Sequence, residues 1–233
     1  MTTTEATPDI DKNPLLSVRF IISACVVLAI LVGGAFLLLN RPEAPTAPAP
    51  LTSAGTCDLP ASGETVLTDI PESGQVAVGA GRSAVAAPRT EEHGPAIMND
   101  GVPSCWAQSP FGAVSAAAAV AAMGSAGMEH SLYRDLTVEG DERDQLLAEN
   151  TEDTAPYRDG TEIVGFALLD YTLEDATVSI VASDGELMVA GTYDMVYVDG
   201  DWRYDPPLNL EPQFAEIDDM NGYTEFRGGP TDG

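Results

Sequence analysis

Lysine is all but missing from this sequence. Lys12 is the only one, and nine arginines complete the basic set. Histidine is scarce as well, with His93 and His130 alone, and there are only three cysteines. Against ten basic residues stand 37 acidic ones, a net charge of -27. DNA and RNA binding depend on Lys and Arg neutralising phosphates, so nucleic acid is excluded as a partner. Anionic lipid headgroups are disfavoured too, apart from the few basic residues beside the apolar run described below. Solubility or adaptation to salt accounts for such a charge; cation binding is the other reading.

Catalytic signatures are missing. A nucleophile elbow needs Gly-x-Ser-x-Gly, and Gly124-Ser125-Ala126-Gly127 is one residue out of register. No Ser-x-x-Lys exists, since Lys12 stands alone, and no Gly-rich loop carries a phosphate-binding lysine. The two histidines lack metal-motif spacing. Asp199, Asp201 and Asp205 suggest calcium, but Arg203 sits where a calcium loop wants an oxygen ligand. Carboxylate pairs such as Glu174-Asp175 are too frequent to single one out, and this one reads as a solvated turn. His130, Tyr133 and Asp170 are available to a cryptic enzyme site, but nothing in the sequence places them together. We therefore expect no cofactor, no metal and no catalysis.

What the sequence does contain is a charge-free run, FIISACVVLAILVGGAFLLL, from Phe20 to Leu39. At 1.5 Å per residue, twenty residues span roughly 30 Å, the hydrocarbon thickness of a bilayer. A signal-peptide core is usually shorter and ends at a small-residue cleavage site. Here Ala47-Pro48-Ala49 is followed by Pro50, a poor setting for cleavage. The expectation is an uncleaved, single-pass anchor in the cell membrane. Lys12 and Arg19 precede it and Arg41 follows, a slim positive-inside bias. With the downstream cysteines, this favours a cytoplasmic N-terminus and an extracellular domain. Cys25, Ala29 and Gly33 recur every four residues and form a small-residue stripe for helix association, so homo-oligomers are a candidate state.

The expected organisation is a cytoplasmic tail (1–19), a transmembrane helix (20–39), a Pro/Ala-rich stalk (40–56) and an extracytoplasmic domain (57–233). Proline at the stalk's density favours extended polyproline II, about 3.1 Å per residue. Cys57 and Cys105 are the only cysteines after the anchor. In an oxidising compartment they are expected to pair; a metal site, the alternative, would need more ligands. Between them Gly, Pro and Ser abound, and Gly74–Arg82 reads as loop.

Ser109 and Pro110 open a helix as N-cap and first position, and Gly127 is its stop. A second, less regular helix is expected in parts of Met128–Leu136 and Glu142–Asn150. Then the period changes to two. Ile163–Tyr171, Ala176–Ala182, Leu187–Val198 and Trp202–Tyr204 read as strands, with tight turns at Asp184-Gly185 and Asp199-Gly200. Leu187, Val189, Tyr193, Met195 and Tyr197 share one strand face. Phe214–Met220 reads as a short helix. The class is α+β: after the transmembrane helix, two helices packed on a curved antiparallel sheet. Trp106 and Trp202 read as core residues or as partner-facing anchors.

Several segments carry a resemblance: CDLP at 57–60, HGP at 93–95, GVPSCWAQSPFGAVSAAAA from Gly101, VDGDWRY at 198–204 and GYTEFRGG at 222–229. They resemble a family of single-pass membrane proteins of actinobacterial integrative conjugative elements. The helix-helix-sheet order with a late V-x-G-x-W hairpin is similar to the nuclear-transport-factor-2-like, or cystatin-like, fold. Bitopic assembly proteins of conjugative type IV secretion carry that fold in their periplasmic domains. The resemblance implies a non-catalytic, membrane-anchored assembly subunit, with the lipid bilayer and other envelope or conjugation proteins as partners. A ligand-binding or sensor module of the envelope is the alternative, and an enzyme of the same fold a third. A pocket lined by convergent polar groups would favour the second or third; a closed core with a large exposed apolar patch would favour the first.

Overall fold

The computed structural model describes residues 57, 59–79, 84–154, 160–207 and 214–227. The fold is organised around α1 (Pro110–Ser125). Ser109 caps it, its backbone extended and its Oγ accepting the Gly112 N–H at 3.0 Å. Every residue from Pro110 to Met123 is buried. A helix buried all round must meet neighbours on several sides, and the alanines let them approach closely. Gly112 completes that fit, because a Cβ there would collide with the Ala107 carbonyl oxygen. Ser115, the polar residue in mid-helix, donates its hydroxyl to the Pro88 carbonyl at 3.0 Å.

Two hairpins precede α1: β1 (Gly74–Val78) with β2 (Val85–Arg89), and β3 (Ile97–Asn99) with β4 (Val102–Ser104). Two short helices follow it, α2 (Glu129–Asp135) and α3 (Asp141–Glu149). The main sheet has six antiparallel strands: β5 (Glu162–Tyr171), β6 (Asp175–Ser183), β7 (Met188–Val198), β8 (Asp201–Asp205), β9 (Phe214–Ile217) and β10 (Thr224–Glu225). Their order is β10-β5-β6-β7-β8. β9 also pairs with β7. β8 takes Asp194–Val198 and β9 takes Met188–Gly191, so the two share one edge of β7. The two-residue turn between β7 and β8 has positive φ at Asp199 (54°) and Gly200 (81°), the conformation such a hairpin demands. The α1 face of the sheet carries Phe166, Val178, Ile180 and Met195, each 2% exposed or less. Phe226 joins them, its ring 4.9 Å from that of Phe166 and 6.4 Å from that of Phe111.

These elements correct the expected architecture of two helices on a curved cystatin-like sheet. Among the described residues there are three helices, one six-stranded sheet and two small hairpin sheets. The second expected helix is two because Leu136–Val138 is drawn alongside β8. Tyr204 N–H donates to the Leu136 carbonyl at 2.8 Å, and Val138 N–H donates to the Tyr204 carbonyl at 2.9 Å. The Gly74–Arg82 loop is in part β1, and the expected helix at Phe214–Met220 begins instead as β9. Among the described residues no helix is long and apolar enough to cross a membrane. Phe20–Leu39, expected as the transmembrane helix, lies outside the described residues, as do Cys25, Ala29 and Gly33.

Candidate functional site

The described residues leave open the space between the C-terminal half of α1, the two short helices and the sheet. A cleft of about 590 Å³ remains there, within the range of small-molecule sites. Val120 and Ala121 of α1, Leu132 of α2 and Ile180 of β6 line its buried part. The period-two alternation of β7 brings Val189, Gly191 and Tyr193 to the same wall. Tyr133 of α2 and Tyr204 of β8 complete an aromatic side. Nearer the solvent stand Ser125, Glu129, Ser183, Asp184 and the half-exposed ring of Phe214.

The aromatic side has defined geometry. The Tyr193 and Tyr204 ring centroids are 6.0 Å apart with planes at 64°, and Tyr193 meets Phe214 at 6.5 Å and 65°. Gly191 permits this arrangement, since a Cβ there would lie 2.7 Å from Phe214 Cε1 and 2.9 Å from the Tyr193 hydroxyl. Burial pushes the Tyr193 hydroxyl well above the usual phenol range, and Tyr204 and Tyr133 add to the shift. Burial likewise takes Tyr204 up to about 12, helped by Tyr133, Asp194 and Asp205. Tyr133 is raised by burial and by Glu129 and Glu149. All three phenols are therefore neutral at ordinary pH and offer hydroxyls and ring faces, not charge.

On the far side of α1's N-terminus lies a second concentration of polar contacts. Asp201 is 5% exposed. Its Oδ2 accepts the Cys105 N–H at 3.0 Å, and its Oδ1 accepts the N–H of Trp106 at 2.9 Å and of Trp202 at 3.0 Å. Burial raises the Asp201 pKa, while these three N–H groups and Arg203 pull it back down. Trp202 Nε1 donates to the Ala107 carbonyl at 3.0 Å. His93 sits nearby, its carbonyl accepting the Ala107 N–H and its Nδ1 lying 2.9 Å from Ser109 Oγ. Burial lowers the His93 pKa, against the opposing charges of Glu92 and Glu64. The Asp201 carboxylate and the Trp202 indole are spent on backbone, while the buried Trp106 Nε1 has no hydrogen-bond partner among the described residues, so this cluster fastens the pre-helix segment to the start of β8. Ser109 is fully buried and already occupied as a cap, which denies it a nucleophile's exposure.

Cys57 and Cys105 are joined by a disulfide with Cα atoms 5.2 Å apart. Trp106 and Trp202 are both 0% exposed. They fill the core and present no surface to a partner, which corrects the partner-facing reading. Of the three residues available to a cryptic site, only Tyr133 lines the cleft. The His130 ring bonds the Asn150 carbonyl at 2.8 Å, and Asp170 is exposed near the far end of β5. Asp201 is occupied by amides, while Asp199 and Asp205 are exposed; among the described residues no group of His, Cys, Asp and Glu has metal-site geometry. Tyr193, Tyr204 and Phe214 were not singled out as a site by the sequence. The available signal was the β7 alternation, which placed Tyr193 on the inward face without showing that the space before it stays empty.

The described residues thus form a largely apolar cleft between the helices and the antiparallel sheet. A family model described as a domain of unknown function (DUF8175) matches residues 40–225, and the chain belongs to that family. No curated protein and no solved structure matches the chain.

Proposed function

We propose that this chain is a non-catalytic, membrane-tethered binding module of the cell envelope. In this reading Phe20–Leu39 anchors it, residues 1–19 are cytoplasmic, 40–56 form the stalk, and the domain outside holds a small molecule between helices and sheet. The observation that supports binding is the cleft of about 590 Å³ with apolar depth and a neutral tyrosine side. Extraction of small molecules from the protein purified out of native envelopes tests it. A compound should accompany the wild type and be lost from an Ala121→Phe variant, which fills the cleft. Identical extracts from both, with the variant folded by near-ultraviolet circular dichroism, would overturn the reading.

A second reading, an assembly subunit of an actinobacterial conjugative transfer apparatus, draws on a different surface. Leu169 (59% exposed), Leu173 (40%) and Val198 (38%) lie toward one end of the sheet, where Tyr197 N–H donates to the Glu174 carbonyl. Exposed apolar residues gathered at one end of a sheet suit docking to another envelope protein. The motif likeness supplies the conjugative setting. Deleting the gene and measuring transfer of its element decides this reading, and an unchanged transfer frequency removes it.

A further inference from the structure

The cleft's chemistry discriminates between ligand classes. Its interior offers aliphatic surface and the rings of Tyr133, Tyr193 and Tyr204. The Tyr193 ring meets those of Tyr204 and Phe214 edgewise, at 64° and 65°, so these rings line the cleft without stacking face to face on one another. The charged side chains in its lining are Glu129 and Asp184, both acidic, and no Lys or Arg is among the described lining residues. Asp184 is held in place by the N–H groups of Glu186 and Leu187, at 3.0 and 2.9 Å. The whole chain adds a background of -27. A ring face carries the negative end of its quadrupole, and a desolvated cation is drawn to it. An anion entering the same space would meet the aromatic side, the Glu129 carboxylate and an unfavourable field.

Resting on the binding reading above, we propose that the cleft is a site for an apolar cation. The fitting ligands are substituted ammonium compounds, with the charged head against the tyrosine rings, Glu129 near the mouth as counter-ion, and the apolar body on Val120, Leu132 and Ile180. Fatty acids and other apolar anions are the class it rejects. The tyrosines suit this because burial keeps them neutral, so their affinity for a cation rests on ring faces and not on a titrating charge.

The test uses the full chain in lipid nanodiscs with ¹³C-labelled tyrosine, read by the ring resonances, with protein-free discs as control. The probes are choline, its uncharged isostere 3,3-dimethylbutanol, and the anion 3,3-dimethylbutyrate. Choline is expected to shift the Tyr193 and Tyr204 signals and to bind at least about five-fold more tightly than the alcohol, with the anion weakest. Glu129→Gln is expected to reduce choline affinity more than alcohol affinity, whereas a folding defect would lower both together. Equal affinities for all three probes would overturn the cation assignment and leave small-molecule binding intact. Absence of any tyrosine shift with all three would overturn both.

Discussion

The carboxylate of Asp201 holds the peptide N–H of Trp106 at 2.9 Å across 95 residues of sequence. The same side chain takes the N–H groups of Cys105 and Trp202. One acidic residue at the start of β8 thereby orders the segment that leads into α1. Asp201→Ala strands these buried donors, and each bond to a charged group is worth about 1.5–3 kcal/mol. The expected loss is roughly 3–5 kcal/mol in urea unfolding. Asp201→Asn should be nearly as damaging, because the amide presents N–H groups where the site supplies only donors. An Asn variant as stable as wild type would show that the charge and both oxygens are dispensable.

His93 makes stability depend on acid. Ser109 Oγ accepts the Gly112 N–H and also lies 2.9 Å from His93 Nδ1. Burial lowers the His93 pKa, so the folded state binds this proton more weakly than the unfolded chain. Above the unfolded value of about 6.5 both states are neutral and nothing is lost. As pH falls below that value, protonation favours unfolding until the folded pKa is passed. The stability advantage of wild type over His93→Asn should shrink between about pH 7 and pH 5. Using the difference cancels the background of many carboxylates. A difference independent of pH would rule this coupling out.

Gly191 admits the Phe214 ring to the cleft. Gly191→Ala puts a methyl 2.7 Å from Phe214 Cε1, and Phe214, 58% exposed, is free to swing away. The stability cost should stay near about 1 kcal/mol, as for a modest overpacking, while the Tyr193–Phe214 ring contact is lost. Aromatic NMR shifts of Phe214 report it, and an unmoved Phe214 would mean that β7 gives way instead.

The Cys57–Cys105 bridge spans 48 residues. Closing a loop of that length stabilises a fold by about 4 kcal/mol in the chain-entropy model. Cys57→Ser with Cys105→Ser should lower the urea midpoint accordingly. Non-reducing peptide mapping of protein from native envelopes should find the linked pair, and two free thiols would refute it.

The proposed topology is open to direct assay. Protease added to intact protoplasts should digest the domain and spare residues 1–19. A fully protected domain would invert or abolish the anchor assignment.

Much of the sheet was legible because local chemistry and tertiary packing agree there. Asp184-Gly185 and Asp199-Gly200 mark turns, and period-two runs lie between them. Ser109-Pro110 marks the start of α1 for the same reason. β9 was not legible: Phe214–Ile217 has no strand pattern of its own, and it pairs because β8 is too short to cover the whole edge of β7. β1 to β4 are strands of three to five residues in Gly- and Pro-containing sequence, where hydrophobic period carries little signal. Trp106 and Trp202 illustrate another limit, since aromatic identity suits core and interface equally until burial is known. The cleft is the hardest case. It is a space left between described residues as far apart in sequence as Val120 and Phe214, and no local pattern encodes such a volume.

The bridge from Cys57 to Cys105 also sets how the domain answers mechanical tension. A pull on the chain ahead of residue 57 crosses the disulfide to Cys105, whose N–H is held by Asp201 on the sheet. The bridge bypasses both small hairpins, so the covalent line of force does not run through them. Load is delivered to the start of β8 and the root of α1, and the hairpins are spared until the sulfur bridge is broken.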